Sequence, residues 1–191
     1  MIGGVILAAG AGRRFGAVKQ LAEFGGRPLL AHAIDAMVAV PAIAPIIVVL
    51  GSDAAEVAGG VDLRGAEPLV CEDWEEGMAA PLRAGIEALD ARGADAAVIT
   101  LGDQPFITPQ IIAGVIDHAG PRRQAVRTTY DGRPGHPVLI TRSLFASVME
   151  LRGDVGARDL LAGANVGHWE CGHLGRDDDI DTPDQLEAAR P

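Results

Sequence analysis

The chain reads as one α/β domain, a doubly wound, mostly parallel sheet with helices on both faces. Three observations lead there. Short apolar runs alternate four times with stretches of helical apolar spacing before residue 120. The runs are apolar throughout, as strands are when both faces of a parallel sheet are covered. The 191 residues, 48% of them hydrophobic, suffice for one sizeable core, and no linker or internal repeat divides them.

The first strand is Gly4-Val5-Ile6-Leu7-Ala8; it runs into glycines, and a helix over residues 28–40 follows. The same rhythm predicts a strand over 45–50 with a helix over 53–58, a strand over 68–71 with a helix over 81–89, and a strand over 96–101 with a helix over 109–119. After residue 120 the rhythm loosens. Residues 124–130 and 138–140 read as strands around the turn-rich segment 132–137, a hairpin or an insertion. Two short helical stretches, 142–151 and 156–162, precede a strand over 166–171 and a closing helix over 183–189.

Composition narrows the function. Twenty-six acidic residues against 16 basic ones leave a formal charge of −10, which disfavours nucleic-acid binding through a basic face. Cys71 and Cys171 form no C-x-x-C pair, and the N-terminus lacks the basic region and cleavage site of a signal peptide, so a reducing cytoplasm is the expected home. Apolar runs such as 42–50 fall far short of the roughly 20 residues that span a bilayer, and no membrane association is expected.

Chemistry concentrates in three places. Leu7-Ala8-Ala9-Gly10-Ala11-Gly12-Arg13-Arg14-Phe15-Gly16-Ala17-Val18-Lys19 is a glycine-rich loop where α/β sheets bind ligands. Its backbone N–H groups suit phosphate oxygens, and Arg14 and Lys19 add charge. Phe15 stands where a dinucleotide fingerprint needs its third glycine, and Gly16 is followed by Ala17-Val18 where a Walker A loop needs Lys-Ser/Thr. Lys19 is the only lysine in the chain. The strand over 96–101 runs into Gly102-Asp103-Gln104-Pro105. If first and fourth strands are neighbours, Asp103 faces the glycine loop as a hard ligand for Mg²⁺. In Asp177-Asp178-Asp179-Ile180-Asp181-Thr182-Pro183, most carboxylates read as solvated; Asp181, flanked by Ile180 and Thr182-Pro183, is the candidate for a second Mg²⁺ ligand.

Competing sites are weaker. His168, Cys171 and His173 would alternate across a strand instead of converging on zinc, and none of the three serines lies in G-x-S-x-G.

Residues 7–19 resemble the L-A-A-G-x-S-x-R-[MF]-G-x-x-K signature of MocA-like nucleotidyltransferases, which include molybdenum cofactor cytidylyltransferases. Trp74-Glu75-Glu76-Gly77-Met78, Leu101-Gly102-Asp103-Gln104-Pro105, Gly135-His136-Pro137-Val138, Gly153-Asp154-Val155-Gly156-Ala157-Arg158 and Asp179-Ile180-Asp181-Thr182-Pro183 resemble that family's segments in the same order. The resemblance spans nearly the whole chain. It implies a Rossmann-like nucleotidyltransferase fold, with a nucleotide-binding part over about 1–120 and an acceptor-binding part over about 121–191.

Carried across by residue, it puts Leu7, Ala8, Ala9, Gly10 and Gly12 against the nucleotide, with Arg14 and Lys19 on its phosphates. Gly77 and Met78 lie near base and ribose, and His136, Asp154 and Arg158 face the acceptor. Asp103 and Asp181 hold Mg²⁺. Lys19, Arg14 and Asp103 are the expected catalytic residues. The implied reaction moves CMP from CTP to a molybdenum-loaded molybdopterin, with a molybdoenzyme as the possible recipient of the product. GTP, another small-molecule phosphate as acceptor, and a non-catalytic carrier or chaperone for a molybdoenzyme are the alternatives. Two departures leave base choice open: Gly12 stands where the pattern has Ser, and Ala79-Ala80-Pro81 where the family often has hydroxyl residues.

Overall fold

A computed structural model describes residues 1–12 and 14–190, and the side chains of these except Arg158 and Asp159. Strand β1 (Ile2–Ala8) is followed by a small hairpin, β2 (Glu23–Phe24) and β3 (Arg27–Pro28), and by helix α1 (Leu29–Val38). Three strand–helix pairs come next: β4 (Ile43–Leu50) with α2 (Ala54–Gly60), β5 (Glu67–Val70) with α3 (Ala79–Ala91), and β6 (Ala96–Leu101) with α4 (Pro109–Asp117). The last third holds β7 (Ala125–Tyr130), β8 (Arg133–Thr141), α5 (Phe145–Met149), α6 (Ala157–Leu160), β9 (Val166–Glu170) and α7 (Pro183–Ala189).

The main sheet has seven strands in the order β5-β4-β1-β6-β8-β7-β9. All run the same way except β8, which is antiparallel to both neighbours. Helices cover both faces. Leu30, Ile34 and Met37 of α1 and Ile111, Ile112 and Val115 of α4 pack with Ile6, Val48 and Val98 on one side. Leu82, Ile86 and Leu89 of α3 and Phe145 and Val148 of α5 pack with Val5, Ile47 and Ile99 on the other. Each fully buried Leu or Ile contributes about 1.5–3 kcal/mol. Two-sided burial therefore selects the uninterrupted apolar strands read from the sequence. No helix among the described residues is long and apolar enough to cross a membrane.

Two features position the site. β1 and β6 are parallel neighbours, with Leu7 opposite Leu101, so their carboxyl ends bring the glycine loop and Asp103 together. The turn-rich segment after β7 forms a hairpin, not an insertion. Its turn is Asp131-Gly132, both at positive φ (51° and 76°), a pair that matches the twist of the flanking strands. Residues 133–137 continue β8 beyond its pairing with β6, which begins at Val138. On that one-sided extension Pro134 and Pro137 leave no ladder bond to β6 unmade. Glu170 accepts hydrogen bonds from the N–H groups of Asp131 and Gly132. Together with the N–H of Gly172, they pull its carboxyl down to about 2.

Candidate active site

The glycine loop leaves β1 and folds over the carboxyl end of the sheet. Gln20 braces it from beneath: its amide Nε2 donates to the carbonyls of Ala8 (2.7 Å) and Gly10 (2.9 Å). Gly12 sits at φ 56°, a conformation that favours glycine, and its carbonyl accepts from Phe15 N at 2.7 Å. The serine expected by the family pattern would have to take that left-handed conformation here.

Lys19 lies at the inner end of this loop, with its side chain only 11% exposed. Its ammonium donates to Asp103 Oδ2 at 2.6 Å and to Asp181 Oδ1 at 2.8 Å. Arg14, on the exposed side, donates to Asp181 Oδ2 at 2.7 Å. Burial pulls the Lys19 pKa down, but the charges and hydrogen bonds of Asp103 and Asp181 outweigh it and hold the group above its ordinary value. The hydrogen bond from Lys19 in turn holds Asp181 below the usual carboxylate range. Three segments distant in sequence thus converge.

Local structure fixes each acid. Asp103 follows β6, and its carbonyl accepts from Ile180 N at 3.1 Å, which ties the acidic segment to the β6 end. Ile180 is buried beside Phe24, Leu29 and Leu186. Asp181 precedes α7, whose start is a capping box: Thr182 accepts from Gln185 N, and Gln185 Oε1 accepts from the N–H groups of Asp181 (2.8 Å) and Thr182 (3.0 Å). Of the other acids in this run Asp178 and Asp179 are exposed, in line with the expectation that most are solvated, but Asp179 is also engaged. Asp179 Oδ1 accepts from Gln104 Nε2 at 2.7 Å, and partial loss of water around its carboxyl, followed by the Asp103 charge, pushes it up to about 6.

Above Asp103 opens a cleft of about 560 Å³, whereas Asp181 lines a separate hollow with Phe106, Arg176 and Gln185. Of the predicted nucleotide residues, Leu7, Ala9, Gly10, Gly12, Arg14, Gly77, Met78 and Asp103 line the cleft, joined by Trp74, Glu75 and Pro81. Ala8 does not: its side chain is buried, and it serves the loop through the carbonyl that Gln20 holds. Lys19 borders a smaller recess alongside, with Ala8, Gln20 and Asp103. A second compartment of about 550 Å³ shares Leu7, Met78, Leu101 and Asp154 with the first and is walled by Arg127, His136, Asp177 and Asp179. His136 therefore sits on the far side from the glycine loop, and Asp154 stands where the two compartments meet. The Arg158 side chain lies outside the described residues. Loss of surrounding water, then the Arg127 charge, lowers His136 to about 4, so it is neutral at pH 7.

The boundary between the compartments is braced by Arg83, to which the sequence gives no role, and by the segments around Glu76 and Gly153. Arg83 donates to both carboxylate oxygens of Glu76 (3.1 and 2.6 Å) and to the carbonyl of Leu151 (2.6 Å). Gly77, at φ 117°, lies so close to Gly153 that a Cβ would fall 2.6 Å from its carbonyl carbon. Ala79 N donates to Gly153 O (3.0 Å) and Met78 N to Asp154 Oδ1 (3.3 Å). Gln20, Gln104, Arg127, Glu76 and Arg83 carry no spacing signal of their own. Gln104 and Glu76 lie inside segments that the sequence already marks.

Among the described residues no three His, Cys, Asp or Glu side chains converge as a metal cage. Cys171 is buried while His168 and His173 are exposed, so the soft-metal trio does not assemble.

Residues 4–170 match the MobA-like NTP transferase domain. The chain belongs to that family. Among relatives of this MobA-like protein, nicotine blue oxidoreductase of Paenarthrobacter nicotinovorans is 31% identical over 193 residues, which cover 96% of this chain and 93% of that protein. The crystal structure of Rv0371c from Mycobacterium tuberculosis H37Rv superposes with a TM-score of 0.86 at 31% identity, covering 98% and 95% of the two chains. The same protein's complex with manganese superposes at 0.78 with 27% identity, covering 98% and 96%. The MobA-like chain is thus a member of a nucleotidyltransferase family, with the mostly parallel Rossmann-like sheet of its solved relatives.

Proposed function

We propose that this protein transfers CMP from CTP to a molybdenum-loaded molybdopterin with release of pyrophosphate. The observation that carries the reading is the Lys19 ammonium bridging Asp103 and Asp181, 2.6 and 2.8 Å away, in the recess beside the glycine-loop cleft. A second compartment of similar size adjoins the first, as a two-substrate transfer requires. The motif resemblance along the chain supports CTP and the pterin as the pair.

In this reading the loop amides from Gly10 to Gly12, Arg14 and Lys19 hold the triphosphate, and Gly77 and Met78 hold base and ribose. Neutral His136, Asp154 and Arg158 face the acceptor, and Arg127 supplies positive charge to the same compartment. A phosphate oxygen of the acceptor attacks the α-phosphorus; the new P–O bond forms as the α–β bridging bond breaks, and pyrophosphate leaves with the electron pair. The acceptor phosphate is already ionised at pH 7, so no side chain has to remove a proton. In-line positioning and neutralisation of developing charge supply most of the rate.

The residues fit a divalent cation. Asp103 Oδ1 is buried and has no partner among the described residues, and Asp181 presents a second hard carboxylate beside it. Mg²⁺ is held through one or two carboxylates, with substrate phosphates and water completing its shell, so a full protein cage is not needed. Asp103 and Asp181 would hold it, and it would neutralise charge building on the phosphate oxygens. The acidic protein can still take an anionic nucleotide, because distant charges are screened over about 8 Å at physiological salt.

The nicotine blue oxidoreductase relative favours a second reading, an oxidoreductase, for which a nicotinamide cofactor is the form to test. Phe15 in place of the third fingerprint glycine weighs against it. Incubation with α-labelled CTP, GTP or ATP, Mg²⁺ and the molybdenum-loaded pterin separates the possibilities. Label in the pterin product with stoichiometric pyrophosphate is expected from CTP. Nucleotide binding without pyrophosphate would make the protein a carrier, and saturable NAD(P)H oxidation without transfer would make it an oxidoreductase.

A further inference from the structure

Lys19 is the one lysine in the chain. Two of its three N–H groups are committed to Asp103 and Asp181, the same acids that the preceding reading gives to the divalent cation. Arg14 occupies the other oxygen of Asp181. These four side chains pair two acids with two cations, and Asp179 adds a third carboxyl whose charge reaches Asp103, Asp181 and Lys19. A divalent cation arriving alone would turn the cluster net positive, close to an ammonium whose side chain is only 11% exposed. Repulsion between such neighbours is strong where water is scarce. A triphosphate changes the balance, because its oxygens can receive the ammonium and the guanidinium while the acids turn to the metal. The four-carbon stem of Lys19 permits the short move.

We propose that Lys19 is an internal counter-ion: it competes with the divalent metal for Asp103 and Asp181 and yields only when a nucleoside triphosphate takes up its charge. Metal and nucleotide then bind as one event, and free metal at cellular concentration does not occupy the acids by itself. The inference rests on the assignment of Asp103 and Asp181 to a metal, and it adds an order to the binding.

The single lysine makes the test direct. Protein grown with ¹³Cε,¹⁵Nζ-labelled lysine gives one side-chain signal, that of Lys19. Titration with Mg²⁺ alone should leave the signal in place, whereas Mg²⁺ with a non-hydrolysable CTP analogue should move it. In parallel, Mn²⁺ binding to the nucleotide-free protein is read by electron paramagnetic resonance. Lys19→Met, which keeps the stem and removes the charge, should bind Mn²⁺ at least about tenfold more tightly than the unsubstituted protein. A Lys19 signal that shifts fully with Mg²⁺ alone, or equal Mn²⁺ affinity in a folded Lys19→Met protein, would overturn the exchange and leave the nucleotide reading standing. A Lys19 signal that responds to no combination of metal and nucleotide, with no Mn²⁺ bound by either protein, would overturn both. The labelled native protein needs no substitution, so a Lys19→Met chain that fails to fold does not remove the test.

Discussion

His136 offers a pH dependence whose sign and size follow from its place in the fold. Its pKa is lowered to about 4 by loss of surrounding water and by the Arg127 charge, against about 6.5 for an unperturbed histidine. Between these values the unfolded chain carries a proton here that the folded chain refuses, so stability must fall as the pH drops below about 6.5. The loss reaches about 2 kcal/mol at pH 5 and levels off near 3 kcal/mol below pH 4. Carboxylates elsewhere titrate in the same range, so the effect is isolated by difference. Urea unfolding of the native protein and of His136→Gln, at pH 7.5 and at pH 5, should show the native protein losing about 2 kcal/mol more than the variant. Any uniform effect of the glutamine cancels in that comparison. Parallel stability curves for the two proteins, or a native protein that gains on acidification relative to the variant, would refute the burial and charge argument.

Other perturbations follow from the same geometry. Lys19→Ala should lower nucleotidyl transfer at least about tenfold without unfolding the chain, and unchanged turnover would remove Lys19 from the reaction. Asp103→Ala should abolish metal-dependent transfer while unfolding free energy stays within about 2 kcal/mol of the native value, since the residue sits at the rim of the sheet. Gly77→Ala forces a side chain to φ 117° and into the Gly153 backbone; it should cost about 2–3 kcal/mol in denaturant unfolding and raise the KM for the nucleotide. Arg83→Met releases Glu76 and the Leu151 carbonyl, so steady-state kinetics should show a larger rise in KM for the acceptor than for the nucleotide.

The strand–helix alternation was legible because two-sided burial leaves an unbroken apolar run such as Ala96–Leu101, the same six residues in sequence and structure. The small hairpin of Glu23–Phe24 and Arg27–Pro28 was not, because two-residue strands carry no period. The first half of β8 was hidden by Pro134, Gly135 and Pro137, residues that favour turns and lie here on an extension paired on one side only. At the site, Lys19, Asp103 and Asp181 could be singled out because each stands at the edge of an element in a distinctive segment. Gln20 and Arg83 could not. Their work is done on main-chain carbonyls and on loops that become neighbours only after folding, and residue type alone does not announce that role. Asp179 escaped for a related reason: in the chain it looks like one more solvated acid, and only packing puts it on Gln104.

The central claim is that a metal–nucleoside triphosphate sits over the ends of β1 and β6. A crystal of this protein grown with Mn²⁺ and a non-hydrolysable CTP analogue, with data collected for the anomalous signal of manganese, tests it most directly. The account predicts an anomalous peak in contact with the Asp103 carboxylate and a phosphate oxygen, the Lys19 ammonium on the triphosphate, and the base beside Gly77 and Met78. A nucleotide bound elsewhere on the molecule, or manganese bound away from Asp103 and Asp181, would contradict it.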